Sequence, residues 1–123
     1  DLSVADASVT DEASKNRFDI VLADVPCSGT GITGRKPDIK YNMNESVQEE
    51  LIELQKPILL NAVEYCKAGG TVIFSTCTLN RAENVAGMKG LEEAGLTKEI
   101  EITIGPGVHT GDGFFISKYR KTL

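Results

Sequence analysis

Apolar residues fall along this chain in two patterns, short near-continuous runs and one long helical stripe. Phe18-Asp19-Ile20-Val21-Leu22-Ala23-Asp24 is rich in branched side chains and stops at Asp24-Val25-Pro26. Such a run predicts a strand buried on both faces, as in a parallel sheet. Thr71-Val72-Ile73-Phe74-Ser75-Thr76 predicts a second. Between them Leu51, Leu54, Ile58, Leu59, Ala62 and Val63 recur at helical spacing. Ser46-Val47-Gln48-Glu49 has the form of a capping box that starts this helix, Pro57 should kink or split it, and Gly69-Gly70 should end it. A further helix is expected from about Ala82 to Ala94, stopped by Gly95. Lys98 to Ile104 alternates like a half-buried strand, Gly105-Pro106-Gly107 turns, and Phe114 to Tyr119 forms a last strand. Leu2 to Asp6 reads as the end of a strand, and Asp11 to Asn16 as a polar, weakly helical stretch. This order predicts the C-terminal part of an open α/β sheet, mostly parallel with a final antiparallel strand.

Composition narrows the function. Thirteen basic against 18 acidic residues give a net charge of −5, which argues against a stand-alone nucleic-acid binder held by phosphate contacts. No apolar run reaches the roughly 18 residues of a membrane span. The three cysteines suit neither a disulfide framework nor a zinc site, so no metal is expected and a cytoplasmic, reducing setting is. The chain has no initiator Met and opens on a strand-like fragment; it is expected to be a piece of a longer protein.

Gly29-Thr30-Gly31-Ile32-Thr33-Gly34 matches G-x-G-x-x-G after a strand. That motif binds dinucleotides by aiming a helix N-terminus at the pyrophosphate, and Arg35-Lys36-Pro37-Asp38-Ile39 has no helical period. A flexible loop at the C-terminal edge of the sheet, where open α/β folds place their chemistry, is the better reading. Cys27 and Cys77 each lie just past one of the two central strands. Parallel strands end on the same side, so both thiols could face one cleft. Burial as small apolar residues is the alternative, and the expected fate of Cys66 on the helix stripe.

Taken together, Asp24-Val25-Pro26-Cys27-Ser28-Gly29-Thr30-Gly31, Arg35-Lys36-Pro37-Asp38-Ile39-Lys40, Gly69 through Thr78, Glu83-Asn84 and Gly111-Asp112-Gly113-Phe114-Phe115-Ile116 closely resemble the Fmu/Sun family of RNA cytosine-C5 methyltransferases. Similarity extends over nearly the whole chain, residues 1–123, as the C-terminal portion of one Rossmann-like catalytic domain. The resemblance implies an S-adenosylmethionine-dependent enzyme acting on ribosomal RNA. Cys77 would be the nucleophile that adds to carbon 6 of cytosine, because carbon 5 is too poor a nucleophile unaided. Cys27 would be the base at carbon 5 or assist product release, and Asp24 would orient the base. Asp6, Asp24 and Pro26 would contact the cofactor, Asp6 through its adenine. Cys77 must attack as a thiolate, so a depressed pKa is expected, and the target base must be unstacked.

The departures are as informative. The family's glycine-rich cofactor loop, its ribose-binding acid and its RNA-binding N-terminal region are absent, so cofactor affinity should be weak or nil. Arg35, Lys36 and Lys40 form a small basic cluster that could meet an RNA phosphate or remain solvated. The strand ending at Asp24 would have a bare edge, a liability for self-association. A non-catalytic α/β module with structural cysteines, or a thiol-redox protein using Cys27 and Cys77, are the competing readings, the latter without a C-x-x-C. His109 reads as a solvated loop residue, Asn44-Glu45-Ser46 as a helix cap rather than a glycosylation site, Asp19 as an edge polar residue, and Glu83 and Asn84 as caps or supports of the helix after Cys77.

Overall fold

A computed structural model describes residues 1–86, 88, 90–107 and 111–122; His109 lies outside them. Four strands, β1 (Phe18–Asp24), β2 (Cys66–Thr76), β3 (Leu96–Ile104) and β4 (Phe114–Lys121), form one sheet in the order β1-β2-β4-β3. β1 and β2 pair in parallel, whereas β4 is antiparallel to both β2 and β3. Three strands therefore point one way and the last runs against them, as the chain order predicts. Helix α1 (Ile39–Asn42) is a single turn, α2 (Glu45–Tyr65) is long, and α3 (Arg81–Ala86) is short.

Among the described residues only one face of the sheet is covered. Leu59, Ala62 and Val63 of α2 pack with Ala23, Val72 and Phe74, while Met88 and Leu91 join Leu96, Phe115 and Tyr119. Phe74 and Phe115 meet edge to face with centroids 6.1 Å apart. On the other face Ile20 and Leu22 are 65% and 64% exposed. β1 is thus not buried on both faces as its composition suggests, because α2 shelters only the Val21/Ala23 side. β3 departs likewise: Leu96 alone is buried, and Ile100 and Ile102 stay open. The accessible surface is 7670 Å², against about 6,400 Å² for a compact monomer of this mass, in keeping with a bare face.

Residues 1–6 form no strand, and Leu2 and Val4 are fully exposed. Among the described residues β1 pairs with β2 alone, so no second ladder forms beside it. The following residues are instead tied to α2. Asn61 donates to the Ala7 carbonyl at 2.9 Å and accepts from Thr10 Oγ1 at 2.7 Å.

Helix ends differ from the sequence expectation for local reasons. Asn44 caps α2, accepting from Val47 N at 3.0 Å, so the helix starts one residue before the predicted capping box. Pro57 does not split it. One missing N–H is tolerated because Gln55, Leu59, Ala62 and Val63 anchor the helix on both sides of it. The helix stops at Tyr65, and Gly69-Gly70 lies within β2, where pairing slips between Phe18↔Cys66 and Ile20↔Thr71. Gly69 takes φ +76, and a Cβ on Gly70 would come within 2.6 Å of Cys66 Sγ. Lys121, buried beneath the sheet, donates to the carbonyls of Val63 and Cys66 at 2.8 Å each, a cation placed at the C-terminus of α2. α3 is shorter than predicted; Gly90, in the left-handed region at φ +93, cannot continue it.

Candidate active site

The site is assembled by register. Asp24 on β1 lies opposite Ser75 on β2, and Val25 N donates to the Ser75 carbonyl at 3.2 Å, so the two strands end together. Cys27 lies three residues past Asp24, and Cys77 two past its partner Ser75. Their sulfurs come to 3.3 Å, both half-buried. Neither sulfur is sealed in hydrocarbon, which separates the pair from Cys66, buried at the start of β2.

Three loops lock around them. Gly31 N donates to the Cys77 carbonyl at 2.9 Å, and the Gly31 carbonyl accepts from Gly113 N at 2.8 Å. A Cβ at Gly31 would lie 2.3 Å from the Gly113 oxygen and 2.7 Å from the Cys77 oxygen. Gly29 adopts φ +70, whereas a Cβ at Gly34 would meet nothing. The glycines of the G-x-G-x-x-G stretch are therefore explained by a tight turn and a close backbone approach, and the loop continues into a 3-10 turn, Thr30–Ile32, rather than a helix.

A buried polar network lies behind the sulfurs. Ser28 Oγ and Thr78 Oγ1 are 2.8 Å apart, and Thr30 Oγ1 is 2.9 Å from Thr78 Oγ1. Gln55 of α2 donates to the Pro26 carbonyl at 2.8 Å. Asn84 accepts from Thr76 Oγ1 at 2.7 Å and donates to the Thr78 carbonyl at 3.0 Å. Glu83 is fully buried and accepts from Ser28 N at 3.0 Å. Glu83 and Asn84 thus hold the loops; the helix cap is Asn80, which accepts from Ala82 N at 2.8 Å. Sequence reasoning missed Gln55, Ser28 and Thr78. A signal existed for Gln55, which stands four residues from both Leu51 and Leu59 on the apolar stripe, and a polar group there needs a partner.

Burial, with the hydrogen bond to Cys77 second, pushes the Cys27 thiol up to about 12. Cys27 therefore keeps its proton at neutral pH and can donate it toward the Cys77 sulfur. Burial also raises the Cys66 thiol.

The other predicted site residues are distributed around this centre. Asp24 is exposed at the end of β1 and accepts from Ser75 Oγ at 3.0 Å. It borders a recess of about 200 Å³ shared with Ala7, Leu22, Ile58 and Asn61. Asp6 is exposed, and hydrogen bonds from the Ser8 hydroxyl and backbone hold its carboxyl below the usual range. Pro26 gives its carbonyl to Gln55. Arg35 is ion-paired with Asp112 at 2.5 Å, joining the glycine loop to the segment before β4. Lys36 and Lys40 are exposed on the loop and on α1. Among the described residues no group of three or more His, Cys, Asp and Glu could hold a metal ion.

The sequence profile described as 16S rRNA methyltransferase RsmB/F matches residues 1–94, which include both cysteine loops. The chain belongs to this family. Among its RsmB/F relatives, ribosomal RNA small subunit methyltransferase F of Escherichia coli O9:H4 (strain HS) is 32% identical over 95% of the chain and 28% of the relative. The same-named protein of Shigella flexneri serotype 5b (strain 8401) is 32% identical over 85% of the chain and 26% of its own length. The chain thus spans about a quarter of these relatives. Of solved structures, a methyltransferase homolog protein from Pyrococcus horikoshii superposes with TM-score 0.69 at 25% identity, over 85% of this chain and 39% of that one. NSun6 from the same organism, solved with SFG, gives 0.67 at 27% identity over 83% and 29%. The fold is accordingly a fragment of a Rossmann-like methyltransferase domain.

Proposed function

We propose that this chain is the C-terminal, thiol-bearing portion of the catalytic domain of an S-adenosylmethionine-dependent rRNA cytosine-C5 methyltransferase. What carries the reading is the 3.3 Å contact of Cys27 and Cys77 at the matched ends of two parallel strands, in a chain of the RsmB/F family. Cys77 as thiolate adds to carbon 6 of a cytosine, and the displaced π electrons make carbon 5 nucleophilic. Cys27 then takes the proton from the substituted carbon 5, and the returning electron pair expels Cys77. Cys27 starts protonated and first donates toward the Cys77 sulfur; it must release that proton to water before it can take the one on carbon 5. Bonding that sulfur to carbon removes the neighbouring negative charge that contributes to the raised pKa of Cys27. Asp24, exposed beside the pair, orients the polar edge of the base.

S-Adenosylmethionine supplies the electrophilic methyl group that carbon 5 accepts, and NSun6 was solved with SFG, an analogue of it. The recess at Asp24, about 200 Å³, is below the roughly 300 Å³ at which small-molecule sites begin. Of the three proposed contacts, Asp24, Asp6 and Pro26, only Asp24 lines this recess among the described residues, and weak binding by this chain alone follows. Arg35, Lys36 and Lys40 would face RNA phosphate. The bare edge of β1 offers a route to self-association. The setting proposed is the cytoplasm; among the described residues no helix is long and apolar enough to cross a membrane.

Replacing Cys77 with Ala in the complete natural polypeptide should abolish methyl transfer to rRNA and the covalent RNA adduct. Cys27→Ala should keep the adduct and block turnover. Transfer that survives Cys77→Ala, with the adduct lost in Cys27→Ala, would reverse the two roles.

A further inference from the structure

We infer that Glu83 is a positioning residue whose buried carboxylate clamps the Cys27 loop to the Cys77 loop and so sets the separation of the two sulfurs. The inference rests on the two-thiol reading above. Its geometric basis is that each oxygen of one carboxylate holds the residue immediately after one cysteine. Oε2 accepts from the backbone N–H of Ser28 at 3.0 Å, and Oε1 accepts from Thr78 Oγ1 at 3.4 Å. The Ser28 and Thr78 hydroxyls close the link at 2.8 Å.

Every partner of Glu83 is a donor. Gln55 Nε2 approaches Oε2 at 3.4 Å while it donates to the Pro26 carbonyl, on the other side of Cys27. Gln55 is itself fully buried, and among the described residues its Oε1 has no partner. Both neighbours of the amide nitrogen, a carbonyl and a carboxylate oxygen, are acceptors, which accounts for the side chain presenting its nitrogen to them. No described cation pairs with Glu83, so its carboxyl oxygens are held by hydrogen-bond donors alone. A helix-capping role does not explain this placement, because Asn80 already caps α3. Glutamine is nearly isosteric with glutamate but would turn an NH₂ toward one of the two loops, where a donor already points. Aspartate is one methylene too short to reach both.

The test uses the complete natural polypeptide with Glu83→Gln, Glu83→Asp and Thr78→Val. Diamide takes one hydrogen from each thiol of a close pair to leave a disulfide, itself becoming the hydrazine, and peptide mapping reads the Cys27–Cys77 bridge. Bridging should slow about tenfold in Glu83→Gln, with kcat falling in step, as expected for one lost charge-assisted hydrogen bond. KM for RNA and cofactor should hold, Glu83→Asp should not rescue, and Thr78→Val should act in the same direction more weakly. A role in stability alone would lower the melting temperature without moving the bridging rate of the folded protein. Unchanged bridging in folded Glu83→Gln and Thr78→Val overturns the inference whatever the activity. Should Glu83→Gln fail to fold, Thr78→Val decides it by the same rate. Slowed bridging in Glu83→Gln, where the unsubstituted polypeptide itself transfers no methyl, would leave the clamp standing and remove the methyltransferase reading instead.

Discussion

The two faces of this sheet carry the same kinds of side chain and meet opposite fates. Beneath it Val72, Phe74, Phe115 and Tyr119 are at most 3% exposed, while above it Ile20, Leu22, Ile100 and Ile102 remain between 44% and 65% exposed. Composition does not separate them, since both sets are branched or aromatic and alternate along the strands. The difference is a helix: among the described residues α2, with Met88 and Leu91, covers one side only. Alternation in a strand reveals which residues share a face, whereas coverage depends on what else the chain brings to it.

The largest contrast to break is Phe74 against Leu22. Removing the Phe74 ring should cost about 3–5 kcal/mol, as for large-to-small changes in a packed core. Leu22→Lys should change stability by no more than about 0.5 kcal/mol, the usual range for surface sites. Denaturant titration of both variants checks this. Light scattering adds a second reading, since any concentration-dependent association through the β1 edge and its open face should weaken in Leu22→Lys. Equal destabilisation by the two variants would mean that the open face is covered in solution.

A sharper comparison uses one residue type on one strand. Lys121 and Lys118 both lie on β4, on opposite faces. Lys121 is buried and caps α2 through two carbonyls; Lys118 pairs with Glu99 at 2.7 Å with both side chains 31% exposed. Lys121→Met should cost about 1.5–3 kcal/mol, the range for hydrogen bonds to a charged group. Lys118→Met should cost at most about 1 kcal/mol, as partly exposed ion pairs usually do. Matched thermal melts of the two variants would show whether the cap or the ion pair matters more.

Legibility in the sequence follows the same division. β1 is found to the residue, and β2 and β4 in outline, because continuous branched runs have few other uses. The approach of Cys27 and Cys77 is legible because parallel strands in register must end together, so position along the chain becomes position in space. What escaped needs a third element. Leu2 to Asp6 look like the end of a strand but, among the described residues, have no strand to pair with. Arg35 looks free until the Gly111–Gly113 segment brings Asp112 to it. Gln55 and Glu83 gain their meaning from the Cys27 and Cys77 loops, 50 residues apart in sequence, and no local pattern encodes that meeting.

The smallest effect expected appears only in alkali, and it tests how sheltered the half-open thiol pair is between these two extremes. Cys27 starts from an ordinary value of 9.0 and is raised to about 12 in the fold. Below pH 9 both folded and unfolded chains hold this proton, so Cys27 adds no slope to stability. Between pH 9 and 12 the unfolded chain has released it and the folded one has not, so stability must fall as pH rises. Cys27→Ala should flatten that fall, while Cys66→Ala, whose thiol is also raised by burial, should flatten it as well but leave Cys77 in contact with Cys27. Iodoacetamide labelling at neutral pH complements the titration. Cys77 should react first, Cys27 more slowly and Cys66 only on unfolding. Fast labelling of Cys27 at pH 7 would show that water reaches the pair freely, and the proton that Cys27 is proposed to hold against Cys77 would then exchange with solvent.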